Sequence, residues 1–111
     1  MANQIRKIGA GTNALSPSDL FIEIDNVTSG DTVDIYLPNT NLILNDNQIY
    51  SYVGIRILSL VDEKTVTVNL IAQDGDLINL NSVINTNASS LTDGTVLFLI
   101  GQGNWKLLSI K

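Results

Sequence analysis

Hydrophobic and polar residues alternate along four stretches of the chain, and this period of two is typical of β-strands that bury one face. Clusters of Asn, Asp, Ser and Gly separate the stretches, as expected for turns. The inward-facing positions that the alternation predicts are Leu20, Ile22 and Ile24; Val33, Ile35 and Leu37; and Val66, Val68 and Leu70. In the stretch 49–60 Val53, Ile55 and Ile57 share one face, and Arg56, Leu58 and Leu60 share the other. No stretch has a sustained helical period, so we predict an all-β fold, either a small antiparallel β-sandwich or a barrel-like sheet.

The last stretch of the chain departs from simple alternation. We expect a hairpin with arms at 95–100 and 105–110 around a glycine-rich turn, and both arms are apolar on both faces. A strand that is apolar on both faces must be covered on both, and a chain of 111 residues has little material for a second cover. We therefore predict that a neighbouring copy covers one face, with the oligomer interface at Leu97, Leu99, Trp105, Leu108 and Ile110.

The first eighteen residues have no regular period. Ile5, Ile8 and Leu15 are spaced among Gly, Asn, Ser and Pro, which indicates an extended arm rather than a strand or helix. We predict an N-terminal arm over 1–18 and a single β domain over 19–111. We also hypothesise that the three apolar residues of the arm attach the protein to a partner.

The remaining segments give weaker signals. We expect a loop with a short strand inside it at 39–48, a short strand at 77–80 and a polar loop at 81–90. Three segments that begin with Thr-Val look alike at a spacing of about thirty residues: Thr32–Ile35, Thr65–Val68 and Thr95–Phe98. Because the stretches between them do not match, we attribute the likeness to Thr-Val being a good strand opening rather than to a repeat.

The composition excludes several kinds of function. The chain has 6 Lys and Arg against 11 Asp and Glu, with a formal net charge of −5. This balance is unsuited to binding nucleic acid or an anionic membrane surface. The absence of Cys and His removes Ser-His-Asp and Cys-His catalysis and the commonest metal ligands. We therefore predict a protein that is not an enzyme and needs no cofactor.

Two clusters of polar residues resemble calcium loops, Asn45-Asp46-Asn47 and Asp74-Gly75-Asp76. Carboxylate and amide oxygens suit calcium, but neither cluster continues to a Glu at the spacing of an EF-hand. Ordinary turn formation explains both clusters, and it also explains why acidic residues are close together there. We predict no metal site.

Tyr50 and Tyr52 lie two residues apart and would share one face of a strand. They fit two interpretations. One is an exposed patch that recognises a carbohydrate or a receptor, and the other is packing at the rim of a contact between copies. We favour the rim, because Tyr is common at protein interfaces.

The order of these elements resembles the small β-rich domains that end many fibres and surface proteins of tailed bacteriophages. The residues that carry the resemblance are Thr32-Val33-Asp34-Ile35-Tyr36-Leu37-Pro38, Gly54-Ile55-Arg56-Ile57, Thr65-Val66-Thr67-Val68, Gly75-Asp76-Leu77-Ile78, and the closing hairpin Gly101-Gln102-Gly103-Asn104-Trp105-Lys106-Leu107-Leu108. In that family a glycine soon follows the Gly-Asp-x-Ile element, whereas Asn79-Leu80-Asn81 stands here.

The resemblance implies a structural role on the virion and assembly as a homotrimer. We therefore expect a capsid decoration or head-fibre protein whose partners are copies of itself and other virion proteins, such as capsid or fibre subunits. The alternative is a tail-fibre tip that binds a receptor or a host glycan through the two tyrosines and the Asn-rich loops. Neither interpretation involves nucleic acid or a membrane.

Overall fold

The structure is a computed structural model that describes residues 5–44 and 54–108. Within these two ranges the chain forms ten strands: β1 Ile5–Ile8, β2 Gly11–Ala14, β3 Phe21–Ile24, β4 Thr32–Tyr36, β5 Ile55–Ser59, β6 Thr67–Ile71, β7 Leu77–Ile78, β8 Val83–Asn87, β9 Thr95–Gly101 and β10 Asn104–Leu107. A short helix, α1 Thr40–Leu44, follows β4, and a 3₁₀ helix, Ser89–Leu91, precedes β9. The prediction of an all-β fold is confirmed.

The strands form two mixed sheets. The six-stranded sheet has the order β1-β3-β5-β9-β10-β7, and the four-stranded sheet has the order β2-β4-β6-β8. Four of the pairings among β1 to β6 are parallel, so the predicted purely antiparallel arrangement is wrong. Alternation identifies a strand and its buried face, but it says nothing about the direction of the neighbouring strand.

The parallel pairing arises because the chain winds from one sheet to the other. Successive strands from β1 to β8 alternate between the two sheets, so each crossover between parallel neighbours runs through a strand of the other sheet. Phe21 pairs with Arg56 in one sheet and Thr32 with Thr67 in the other, an offset of 35 residues in both. In this winding Thr32 pairs with Thr67, two residues after Thr65, the residue that the likeness of the Thr-Val segments matches with it.

Side chains from both sheets form one hydrophobic core. The buried residues of the four alternating stretches all lie in it, and they are fully or almost fully inaccessible: Ile22, Ile24, Val33, Ile35, Leu37, Ile55, Ile57, Val66, Val68 and Leu70. Of the positions on these faces, only Leu20 is half-buried, and Val53 lies outside the described residues. Alternation therefore identified the inward faces of β3, β4 and β6 correctly.

The N-terminal segment belongs to the body of the protein in its described part. β1 pairs with β3 and β2 pairs with β4, so each strand extends one of the sheets. Ile8 and Leu15 are buried in the core. The prediction of an extended arm is therefore corrected for the described residues. A strand of four residues is too short to show a period in the sequence, so the pattern did not reveal β1 and β2, which parallel pairing holds in the sheets.

Arg6 lies on β1, the edge strand of the six-stranded sheet. It pairs with the buried Ile22 and therefore lies on the inward row of its strand. Its guanidinium donates to the backbone oxygen of Ala14 at 2.9 Å and to the carboxylate of Asp19 at 2.7 Å. An inward-pointing charge on an edge strand discourages further strands from adding there.

Two shorter segments differ from expectation. Residues 40–44 form α1 instead of a short strand, and residues 83–87 form β8 within the predicted polar loop. β8 has little apolar alternation because Asn85 and Asn87 occupy its outer face. Its position at the edge of the four-stranded sheet leaves those side chains at the surface.

Candidate assembly surface

The outer face of the six-stranded sheet carries a row of large side chains. Phe21 on β3, Arg56 on β5 and Val96 on β9 stand side by side, because their strands pair in that register. Leu108 extends the row, since its backbone N–H donates to the backbone oxygen of Val96 at 3.0 Å. Strand alternation directs these residues away from the core, and it directs their neighbours Ile22, Ile57 and Leu97 into it.

These residues line an open groove of about 550 Å³. We call it the apolar groove and define it by Phe21, Arg56, Leu58, Val96 and Leu108. Its remaining lining comes from the segment that enters β9, residues 93–95, and from Ile57. Carbon atoms dominate the lining. Covering the groove would therefore remove apolar surface from water, which is favourable.

Arg56 places one positive charge at the groove. Its guanidinium carbon lies 5.1 Å from the centre of the Phe21 ring, within the range of a cation–π contact. The Arg56 residue is exposed, so the stacked guanidinium still presents N–H donors to an incoming group. The apolar groove therefore combines apolar walls with a positioned hydrogen-bond donor.

The predicted oligomer interface is only partly at the surface. Leu97 and Trp105 are 0% and 1% exposed and lie in the core of the chain itself, which corrects their assignment. Leu99 is partly buried against the core, Leu108 is 46% exposed, and Ile110 lies outside the described residues. A strand that is apolar on both faces does not reveal which face is inward, and the predicted interface combined residues of the inward face, such as Leu97 and Trp105, with Leu108 of the outer face.

Sequence reasoning missed the residues that accompany Leu108 in the groove. Phe21 stands on the outer face of a strand whose inward residues were correctly predicted, and Leu58 stands on the outer face of β5. The signal was available, because apolar residues at outward positions interrupt the alternation of these strands. Val96 lies on the same outer face of the last hairpin as Leu108, but the predicted interface took its residues of the first arm, Leu97 and Leu99, from the opposite face.

The other predicted contact residues are scattered. Ile5 is 55% exposed on the edge strand β1, whereas Ile8 and Leu15 are buried and cannot contact a partner. Tyr50 and Tyr52 lie outside the described residues. The described residues therefore do not unite the three residues of the predicted attachment arm on one surface.

The turn Asp74–Asp76 is a structural junction. Asp76 is buried and accepts hydrogen bonds from the backbone N–H and the hydroxyl of Thr40. Asp74 accepts one from the side-chain amide of Asn39 at 2.6 Å. The two carboxylates thus hold the start of α1. Among the described residues no group of three or more His, Cys, Asp or Glu could hold a metal ion, and Asn45–Asn47 lies outside them.

A second surface feature is the Leu80 turn, which we define as residues 78–81. Ile78 and Asn81 exchange backbone hydrogen bonds of 2.7 and 2.8 Å, and the two residues between them have positive φ. The φ angles are 48° at Asn79 and 70° at Leu80. Leu80 is 83% exposed, so the turn holds a large apolar side chain in water in a backbone conformation that suits glycine or asparagine.

Comparison of the chain with protein-family models, with curated proteins and with solved structures found no match. In the part of the chain that the structure describes, no helix has the length and apolar character needed to cross a membrane.

Proposed function

We propose that this chain is a structural protein of a tailed-bacteriophage virion, acting at the particle surface as a capsid decoration or head-fibre component. Its action is assembly rather than catalysis. Three copies associate, and the trimer contacts other virion proteins. The observation that carries this proposal is the apolar groove on the outer face of the six-stranded sheet.

The groove supports assembly because it is apolar where an isolated domain would be expected to be polar. Leu108 is 46% exposed, and Phe21, Leu58 and Val96 are half-buried at the surface. Fully burying a large apolar side chain contributes roughly 1.5–3 kcal/mol. Completing the burial of several side chains in one patch therefore provides the driving force for association, while Arg56 orients the incoming surface.

The motif resemblance supports the virion role. The segment that ends in Leu37-Pro38 forms β4, the Gly75–Ile78 element leads into β7, and the Gly101–Leu108 segment closes the β9–β10 hairpin. The resemblance therefore extends over elements of both sheets. We further propose that the two sheets act as a β-sandwich within the trimer.

A glycan-binding tail-fibre tip is the second candidate, and one observation favours it. On the outer face of the four-stranded sheet, Asn85 donates to Asn69 at 2.8 Å and Asn69 donates to Asp34 at 2.9 Å. Tyr36 stands beside this amide ladder, two residues from Asp34 on the same strand face. Amide, carboxylate and aromatic groups side by side suit sugar hydroxyls and sugar rings.

Particle localisation tests the proposed function. Gold-labelled antibody against the chain should decorate purified particles at the capsid, and the labelling should survive washing in high salt because the contacts are largely apolar. Label at the fibre tip, together with glycan-array binding that Asn69→Ala abolishes, supports the second candidate instead. Absence of the chain from purified particles contradicts both.

A further inference from the structure

We propose that β8 is a docking edge, at which two copies of the chain pair their β8 strands antiparallel about a two-fold axis. The axis passes beside Asn85, so that Asn85 faces its equivalent and Val83 faces Asn87 of the other copy. This inference rests on the proposed function, because it assigns β8 to the contact between neighbouring trimers on the particle.

Three of the four sheet edges in the described residues are protected against further strands. The edge strands are β1, β2, β7 and β8. Arg6 points inward on β1, and its guanidinium also occupies the backbone oxygen of Ala14 on β2 at 2.9 Å. β7 has only two residues. Charged side chains and short strands are common means by which proteins prevent strands from adding to an edge.

β8 lacks these protections. It has five residues, Val83–Asn87, with no charged residue and no proline, and all five pair with β6 in one unbroken register. A regular, neutral edge of this kind is a template for another strand. The contrast with the other three edges indicates that pairing at β8 is used rather than avoided.

β8 directs the backbone groups of alternate residues away from β6. The two residues that flank it bond toward β6: the oxygen of Ser82 accepts from Ala72 at 2.9 Å, and the N–H of Ala88 donates to Val66 at 3.0 Å. Every second residue of an antiparallel ladder bonds to the neighbouring strand, and no other described strand pairs with the far side of β8. The outward backbone groups therefore belong to Val83, Asn85 and Asn87.

These three residues are arranged symmetrically about Asn85, which suits a second copy of the same strand. In an antiparallel pair centred on Asn85, each outward residue meets an outward residue of the copy. Each such pair exchanges two hydrogen bonds, so the two strands form about six. A two-fold contact uses the same patch on both copies and closes with two members.

The side chain of Asn85 identifies the copy as the occupant. The amide ladder reaches the edge here, because Asn85 donates to Asn69 at 2.8 Å and Asn69 donates to Asp34 at 2.9 Å. The second N–H and the oxygen of the Asn85 amide have no partner among the described residues. An amide with one donor and one acceptor left matches an identical amide opposite, whereas two carboxylates there would repel.

One strand pair is too weak to join copies in dilute solution. Its hydrogen bonds replace bonds to water and gain little net free energy, while association costs translational and rotational freedom. Neighbouring trimers on a particle are already held close, and this effective concentration favours the pair. The trimer is therefore the unit in solution, and β8 links trimers on the particle.

Disulfide trapping of the purified chain tests the pairing, because the chain contains no cysteine and oxidation captures even a transient contact. Opposite residues of a hydrogen-bonded antiparallel pair have Cα atoms about 5.5 Å apart, which suits a disulfide. In a concentrated solution with copper-phenanthroline, Asn85→Cys should form a linked pair of chains at least tenfold faster than Thr12→Cys. Thr12 is the matched control, because it is exposed on β2, the opposite edge of the same sheet.

Two further variants test the register. Val83→Cys and Asn87→Cys should each link slowly alone and rapidly when mixed, because the two positions face each other across the axis. Adding Asn85→Asp to both chains should abolish the mixed link, since two carboxylates then stand directly opposite.

The outcomes separate this contact from the virion role. If Asn85→Cys links no faster than Thr12→Cys, or the mixture of Val83→Cys and Asn87→Cys stays unlinked, the β8 contact is overturned and the virion role is unaffected. If the links form but the chain is absent from purified particles, the virion role is overturned and the contact between copies stands.

Discussion

Asp76 accepts two hydrogen bonds from Thr40, one from the backbone N–H at 2.9 Å and one from the hydroxyl at 3.1 Å. The Thr40 hydroxyl oxygen in turn accepts from the backbone N–H of Gly103 at 2.9 Å. Thr40 is fully buried and Asp76 nearly so. One threonine therefore connects the start of α1, the turn before β7 and the turn between β9 and β10.

Thr40→Val should lower the free energy of unfolding by roughly 1–3 kcal/mol, the usual cost of leaving a buried hydrogen-bonding group without its partner. The variant keeps the shape of the side chain but removes both hydroxyl hydrogen bonds. Urea unfolding followed by tryptophan fluorescence measures the change through Trp105. Thr40→Ser retains the hydroxyl and is the control. A loss in Thr40→Ser as large as in Thr40→Val contradicts the role of the hydroxyl.

Acid should destabilise the protein partly through Asp19. Burial raises the pKa of Asp19, but the hydrogen bond from the Ser16 backbone N–H and the contact with Arg6 outweigh it, so the pKa lies below its usual value. A carboxyl with a lowered pKa contributes stability above the pKa of the unfolded chain, about 3.9. That contribution is lost as the pH falls through the lower pKa of the folded chain.

The measurement is the free energy of unfolding between about pH 6 and pH 2. Wild type should lose more stability over this range than Asp19→Asn, whose amide does not titrate. Because Arg6 is partly exposed, we expect a difference of roughly 0.2–1 kcal/mol, as for accessible ion pairs. Parallel acid profiles in the two proteins count against a stabilising Asp19 carboxylate.

The two faces of the last hairpin should respond differently to truncation. Leu97→Ala leaves a cavity in the core and should cost roughly 2–5 kcal/mol of stability. Leu108→Ala, measured in dilute solution where copies are apart, should change stability by less than about 0.5 kcal/mol. Thermal or urea unfolding distinguishes them. Equal losses would contradict the exposure of Leu108, and a larger loss in Leu108→Ala than in Leu97→Ala would show that the hairpin packs with its other face inward.

Relief of strain at Leu80 should stabilise the isolated chain. Leu80→Gly should raise the free energy of unfolding in dilute solution by about 1 kcal/mol, because glycine adopts positive φ without a Cβ clash. Leu80→Ala removes the exposed side chain but keeps the clash, so it should stay within about 0.5 kcal/mol of wild type. If alanine stabilises as much as glycine, exposure rather than backbone strain is the dominant cost at this position.

Alternation in the sequence predicted the strands and inward faces of the central part well. Ile22, Val33 and Val68 are buried as expected, because polar residues mark the outward side of their stretches, whereas the stretch around Ile57 has apolar residues on both sides. The direction of pairing was not predictable, since parallel and antiparallel strands share the same period. The register offset of 35 residues, which the β3–β5 and β4–β6 pairs share, was not predictable either, because alternation does not say which strands are neighbours.

The candidate surface was harder to predict than the fold. Leu97 and Val96 are both apolar, and only the packing of the whole chain decides which of them faces the core. Asn79 is the signal in the sequence for a turn with positive φ, but the glycine that usually completes such a turn is replaced by Leu80. Leu108 and Trp105 were predicted to lie at one interface, but Leu108 is 46% exposed whereas Trp105 is buried in the core.

The most direct test of assembly through the apolar groove is the mass of the chain in solution, measured by light scattering over a hundredfold range of concentration. Wild type should approach three times the single-chain mass of 12.0 kDa as concentration rises, whereas Leu108→Asn should remain near the single-chain mass across the same range. A wild-type mass of one chain at every concentration, or an unchanged oligomer in Leu108→Asn, would contradict assembly through this surface.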